Sequence, residues 1–422
     1  MLAKIKSAIF SGTARDTFFI FAGNSASAGF GLFFTLLVAK VLSVAEFGIF
    51  SAVNNLIMIA CSLSDAGTSS GSLKFIAHAE AKGDKKVSRR YTKAAFLLRF
   101  AISTLFSLLL FVFAPLVAKN FLATSDIRMS WWAGVINFFI FVWLFTPFIL
   151  RARGLFLQSA IVDGSLGISR FLIIIPFYIL GAVTLESTLW VYLLGTLFAL
   201  FLSFYFMKLD FFTATSGRGV YNKLLRFSGW LGVNNIISAI SGRLDVTMLA
   251  ALTTATATGI YSLASRFALF IVVLTGSFSA VLATRFASFG DKQKERAYLV
   301  KSTLGIAPIA LLVIVWVAFA EPFLTFLFGM KYLPAVPVFQ ALAIAYIPFI
   351  FTAPAVSAII YAMKKPVYIG YFSFFQIAQV FLVNLYSIPK LGAYGPILSL
   401  LILNVILVSF VWIVVARHYW RK

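Results

Sequence analysis

Four arginines stand inside long apolar runs: Arg99, Arg170, Arg243 and Arg266. Three carboxylates do the same, Asp65, Asp163 and Asp245. A charge at bilayer depth costs about 2.5–3.5 kcal/mol on insertion scales, so each one calls for a reason. A guanidinium keeps its charge and donates two parallel hydrogen bonds, which suits a phosphate or pyrophosphate oxygen. The chemistry these residues suggest is therefore the holding of an anion within a membrane. At about 1.5 Å of rise per residue, Arg266 lies about 12 Å from the outer end of its run and Arg170 about 16 Å from the inner end of its own. Arg243 falls in the outer half. Arg99 is near an inner edge, where its side chain is expected to snorkel to water. For Arg170 and Arg266 two readings stand open: an internal salt bridge, or a water-filled cavity that receives an anionic substrate.

A second feature accompanies them. On a helical wheel Asn234, Asn235, Ser238, Ser241, Gly242 and Asp245 share one face. Its counterpart near the N-terminus holds Asn24, Ser27, Ala28 and Gly31. Small residues in such a stripe serve close helix packing as readily as cavity lining. Asp245 favours the cavity, and it is the candidate for ion coupling. On the same wheel Arg243 points well away from Asp245, so the two are not expected to pair.

Several chemistries lack their residues. There is no GxxxxGK[ST] loop to drive an ATP-powered pump, and no HExxH or CxxC pair. The chain has two histidines, His78 and His418, and one cysteine, Cys61. No cofactor or metal is expected, and no catalytic residue. Each short outer loop carries a single acid, Glu46, Asp126, Glu186 or Glu321, so a membrane enzyme with an external catalytic loop is not expected.

The elements that position these residues follow from composition. Hydrophobic residues make up 61% of the 422 and charged residues 11%, against about 25% charged in a soluble domain. A helix needs about 20 apolar residues to cross hydrocarbon. Hydropathy predicts twelve spans, near 17–40, 47–66, 94–118, 130–150, 159–182, 188–207, 227–250, 258–284, 302–320, 338–361, 367–388 and 394–416. The fold class is all-α, a polytopic membrane protein. The run from Thr17 reads as a first span, despite an Ala26-Ser27-Ala28 that resembles a signal-peptide cleavage site.

The formal charge of +22 reports orientation. Of 35 Lys and Arg, four lie within spans, 26 on one side and only Lys40, Lys119, Arg128, Lys331 and Lys390 on the other. The richer side is cytoplasmic by the positive-inside rule, and both termini face it. The charge then implies anionic headgroups as partners and requires no nucleic acid. The basic segments Lys74–Lys93 and Arg285–Lys301 each contain Gly-Asp-Lys, at 83–85 and 290–292, and read as helices lying on the membrane surface.

The chain also repeats itself. Gly48-Ile49-Phe50-Ser51 reappears 211 residues later as Gly259-Ile260-Tyr261-Ser262, and at the same offset Asn24 meets Asn235, Ser27 meets Ser238 and Gly31 meets Gly242. This predicts an N-terminal six-helix lobe over 1–207, a linker over 208–223 and a C-terminal six-helix lobe over 224–422. A pseudo-two-fold axis along the membrane normal should relate the lobes, since six spans preserve orientation.

With these features in view, the chain resembles the polysaccharide transporters, the Wzx-type flippases of the multidrug/oligosaccharidyl-lipid/polysaccharide (MOP) superfamily. The resemblance rests on AKVLSVAEFGIFS from Ala39, RLDVTMLA at Arg243–Ala250, GIYSLASRF at Gly259–Phe267, LFGMKYLPA at Leu327–Ala335 and IPKLGAYGPILSL at Ile388–Leu400. It implies a V-shaped pair of lobes in the bacterial inner membrane. It implies alternating access that carries an undecaprenyl-pyrophosphate oligosaccharide from the cytoplasmic to the outer leaflet, for O-antigen, capsule or exopolysaccharide synthesis. Polysaccharide polymerase or assembly proteins are the partners it suggests. Arg170, Arg266 and Arg243, with Asn235 and Ser238, are the expected substrate-binding residues. The rival within the superfamily is a multidrug or metabolite/cation antiporter, which would favour deep acids facing a cation.

Overall fold

The computed structural model describes residues 12–65, 67–215 and 217–420. The terminal basic residues Lys4, Lys6, Arg421 and Lys422, and the side chain of Asn234, lie outside what it describes. Among the described residues there is no strand; the chain is helical almost throughout. In hydrocarbon a backbone must satisfy its own hydrogen bonds, and an uninterrupted helix does so.

The helices are α1 (Gly12–Val41), α2 (Val44–Asp65), α3 (Thr68–Ala81), α4 (Lys85–Val112), α5 (Ala114–Phe121), α6 (Arg128–Ala152), α7 (Phe156–Ile179) and α8 (Leu185–Met207). They continue with α9 (Arg218–Ser241), α10 (Leu244–Leu252), α11 (Ala255–Ser288), α12 (Lys292–Ala318), α13 (Ala320–Phe328), α14 (Ala335–Ile350), α15 (Thr352–Ser357), α16 (Val367–Leu391) and α17 (Gly395–Tyr419). Among the described residues ten continuous stretches are long and apolar enough to cross a membrane, and the broken pair at the end of α9 and α10 makes an eleventh. One of the ten, Val367–Tyr419, holds both α16 and α17, joined by a turn at Gly392–Tyr394. The twelve spans read from hydropathy are accounted for in this way, and the protein is a polytopic membrane protein.

Two compact units result. One comprises Met1–Ser43 and Val53–Ala239, the other Val44–Ala52 and Ile240–Lys422. In the first unit α1 lies along α7. A Cβ on Gly23 would come within 2.6 Å of Ala160 Cα, and one on Gly167 within 3.0 Å of Ser27 Cα. Part of the N-terminal stripe of small residues is thus a packing seam, as close backbone approach in membranes favours. In the second unit α14 packs against α11, α12 and α17. Phe286, Leu299, Ile359, Val415 and Tyr419, all buried, form a core cluster that joins α11, α12 and α17.

The basic segments depart from expectation. Lys74 does lie on a separate short helix, α3, but 85–93 and 292–301 are the opening turns of the long apolar helices α4 and α12, and Arg285 lies in the last turn of α11. Asp84 accepts a hydrogen bond from Val87 N at 3.0 Å and caps α4; Asp291 accepts one from Gln293 N at 2.9 Å and caps α12. Each Gly-Asp-Lys is a turn and an N-cap, and the helix it starts runs on into the apolar span without a break.

The two halves differ after α2. α2 and α3 are separated at Gly67, whose φ of 74° is open to glycine and costly for other residues. A Cβ there would come within 2.6 Å of Gly232 N on α9. At the repeat offset the second half has Phe278, and α11 continues unbroken for 34 residues.

Candidate functional site

Among the described residues the first unit buries two guanidiniums, Arg99 and Arg170, and half-buries that of Arg151, and their surroundings differ. Arg99 is 3% exposed. It pairs with Asp65, donates to Thr68 Oγ1 at 2.7 Å and to Ser69 Oγ at 2.5 Å. The expected snorkelling is therefore wrong. The break after α2 turns Asp65, Thr68 and Ser69 toward α4, so Arg99 has closer partners than water. Arg151 pairs likewise with Asp163 and donates to Ser159 Oγ at 3.0 Å.

Arg170 has no such partner. It lies on α7 and is 8% exposed, yet among the described residues no carboxylate pairs with it. Its guanidinium carbon sits 3.2 Å from the centroid of the Tyr192 ring on α8. One terminal nitrogen donates to Thr196 Oγ1 at 3.2 Å, and its Nε has no hydrogen-bond partner. The Tyr192 hydroxyl donates to Asn54 Oδ1 at 2.6 Å, which fixes the ring. Gly195 makes the room, because a Cβ there would come within 2.6 Å of Arg170 Cγ. A cation over a desolvated aromatic face gains about 2 kcal/mol, comparable with the cost of placing it so deep. The ring sustains the charge without neutralising it. A carboxylate would have cancelled it.

The second unit holds a different arrangement. The span predicted over 227–250 is interrupted at Gly242–Arg243, and α10 begins at Leu244. This corrects the single polar face read from the wheel. Asn235 and Ser238 are exposed on α9, Ser241 is buried, and Asp245 opens a new helix. Asp245 accepts from Val246 N at 2.8 Å and from the Tyr261 hydroxyl at 2.7 Å. Arg266 is half-buried on α11, one helix with Tyr261. Asn24 on α1 and Asn235 on α9, equivalent in the repeat, are both exposed.

Arg170 belongs to the first unit and Arg266, Arg243 and Asp245 to the second. Tyr192 and Tyr261 were not among the residues singled out from sequence. Both had a signal. Tyr192 and Arg170 are equally far from the turn at Gly181, and Tyr261 and Asp245 are nearly so from Thr253–Thr254, so each pair comes level across a helical hairpin.

A sequence-family model described as polysaccharide biosynthesis protein matches residues 13–289, well over half of the chain. The chain belongs to the polysaccharide biosynthesis protein family. Its fold is that of the MOP-superfamily transporters. An inward-facing multidrug-resistance transporter of the MATE family superposes with a TM-score of 0.74 at 13% identity, covering 92% of this chain and 93% of that one. The lipid II flippase MurJ in an inward closed conformation gives 0.74 at 16%, covering 95% and 87%. A MOP-superfamily transporter from Pyrococcus furiosus, reported with a binding pocket of reversed polarity, gives 0.62 at 13%, covering 96% and 95%. No curated protein sequence matches the chain.

Proposed function

We propose that this family member is a flippase. It would carry an undecaprenyl-pyrophosphate oligosaccharide from the cytoplasmic to the outer leaflet of the bacterial inner membrane, in O-antigen, capsule or exopolysaccharide synthesis. The observation that carries this reading is Arg170, a buried guanidinium held over Tyr192 and paired with no carboxylate among the described residues. A pyrophosphate cannot enter hydrocarbon unpaired. A fixed, uncancelled cation at bilayer depth supplies what its lost hydration supplied. Arg266 and Arg243 share this role, and Asn235 and Ser238 offer hydrogen bonds to the sugars. The polyprenyl tail stays in lipid.

In this reading both termini are cytoplasmic, alternating access moves the head group, and Asp245 with Tyr261 couples the movement to an ion. A polysaccharide polymerase or assembly protein would take up the product. The experiment is complementation of a flippase-null strain by Arg170→Ala with protein amount measured in parallel. A cation antiporter would tolerate that change, whereas the flippase should lose transport.

A further inference from the structure

The face of α7 opposite Arg170 is the floor of a long apolar groove in the first unit. Its volume is about 580 Å³. Leu157, Ile161, Gly164, Ile168 and Leu172 recur along the floor at helical spacing. α1 and α8 both pack on α7 and supply the walls. Phe19 and Ala26 stand on the α1 side, Phe198 and Leu202 on the α8 side.

The lining tells what the groove accepts. Among the described residues none that lines it is charged. The protons of its two hydroxyls are already given to backbone. Ser165 Oγ donates to the Val162 carbonyl at 2.8 Å, and Ser169 Oγ to those of Leu166 and Gly195, each at 3.2 Å. An occupant gains only from buried apolar surface and dispersion, so it is a hydrocarbon. Leu157, Leu172 and Phe198 are 48%, 56% and 50% exposed on helices that cross the membrane. The groove is therefore continuous with the surface that meets lipid.

Length says which hydrocarbon. At about 1.5 Å per residue the floor runs for about 24 Å, from Leu157 to Ile173. One leaflet is about 15 Å deep, half of a hydrocarbon core about 30 Å thick. A phospholipid acyl chain keeps to its own leaflet. A groove that runs past the midplane suits a chain longer than a leaflet is deep, and a polyisoprenoid is such a chain.

We propose that this groove holds the polyprenyl tail of the lipid-linked substrate, an inference that rests on the flippase reading above. Arg170 stands between Ser169 and Ile173, both of which line the groove. A tail seated there keeps the head group beside α7 and raises its effective concentration at the guanidinium.

The test uses the purified full-length protein in a neutral detergent, with bound lipid counted by native mass spectrometry. The probe is undecaprenol, which has the tail and no phosphate. The wild type should retain it, and an equal concentration of dipalmitoyl phosphatidylglycerol should displace little of it. G164L and I161W narrow the groove and should each hold undecaprenol at least fivefold more weakly. A Cβ at Gly164 would meet the Ile168 side chain at 3.5 Å and Ala26 Cβ at 3.6 Å, which is ordinary contact. Ile161 is 42% exposed, so I161W decides the matter should G164L not melt as the wild type does. L311W, at an exposed position on α12, should bind as the wild type does. Wild-type retention by I161W would overturn the groove. Phosphatidylglycerol that displaces undecaprenol mole for mole would overturn the polyprenyl assignment and leave acyl chains as the occupant. The two readings fail separately. R170A that transports normally while I161W loses undecaprenol would end the head-group role and leave the groove standing. R170A that loses transport while I161W keeps undecaprenol would do the reverse.

Discussion

Gly48 and Gly259 make the same contact from opposite sides. A Cβ on Gly48 would run into the Ala255 carbonyl and lie 2.8 Å from Gly259 N. A Cβ on Gly259 would run into the Val44 carbonyl and lie 3.1 Å from Gly48 N. Val44 is to Ala255 as Gly48 is to Gly259, each pair separated by the 211-residue repeat. A contact in which each partner repeats the other's role carries a local two-fold axis. The repeated Gly-Ile-aromatic-Ser is thus a helix crossing, built twice and packed on itself.

Alanine at either glycine should lower stability by about 1–3 kcal/mol, the range for overpacking. The double substitution should cost less than the sum, because helices already forced apart accept the second methyl more easily. Thermal unfolding of the purified variants measures both, and full additivity would contradict the shared contact.

Arg99 and Asp65 form the second structural test. Removing one partner of a buried pair costs about 3–5 kcal/mol, because the other is left charged and alone. Asp65→Asn should therefore reduce folded protein sharply. R99M/D65L, which removes both charges, should recover much of the loss. A double variant no better than D65N would mean that the pair is not what holds the break after α2.

Hydropathy was enough to place the helices, because an apolar run long enough to cross a bilayer has little choice but to be one. It could not place their interruptions. Gly67 breaks the chain where Phe278 does not, and the reason lies in the backbone of Gly232, far along the sequence. Gly242–Arg243 broke a wheel that assumed one straight helix. The depth of Arg170 was legible from its distance along the span. Its support by Tyr192 was not, since it depends on the hairpin at Gly181 bringing the two level. Arg99 was misread because its partners come from the far side of a break that the sequence does not announce.

Orientation is open to a direct measurement. Reporter fusions after Lys93, Lys223 and Lys301 should read cytoplasmic, and those after Asp126 and Lys331 external. An external signal at Lys223 would reverse the second half and break the six-plus-six arrangement.

Asp245 accepts the Tyr261 hydroxyl, and the pair is proposed to couple transport to an ion. Asp245→Asn should abolish the dependence of transport on a proton or sodium gradient in proteoliposomes. Tyr261→Phe should shift that dependence while leaving the fold intact, since the ring remains. Unchanged gradient dependence in both would remove Asp245 from the mechanism.

The central claim is that Arg170 meets the pyrophosphate head, and complementation of a flippase-null strain tests it most directly. Arg170→Ala should leave the protein at its normal level in the membrane and cut transport at least tenfold. Arg170→Lys should keep part of the activity, since the charge survives without the planar fork. Tyr192→Phe should be milder still, because the ring face beneath the cation persists. Wild-type transport by R170A at normal protein level would contradict the account.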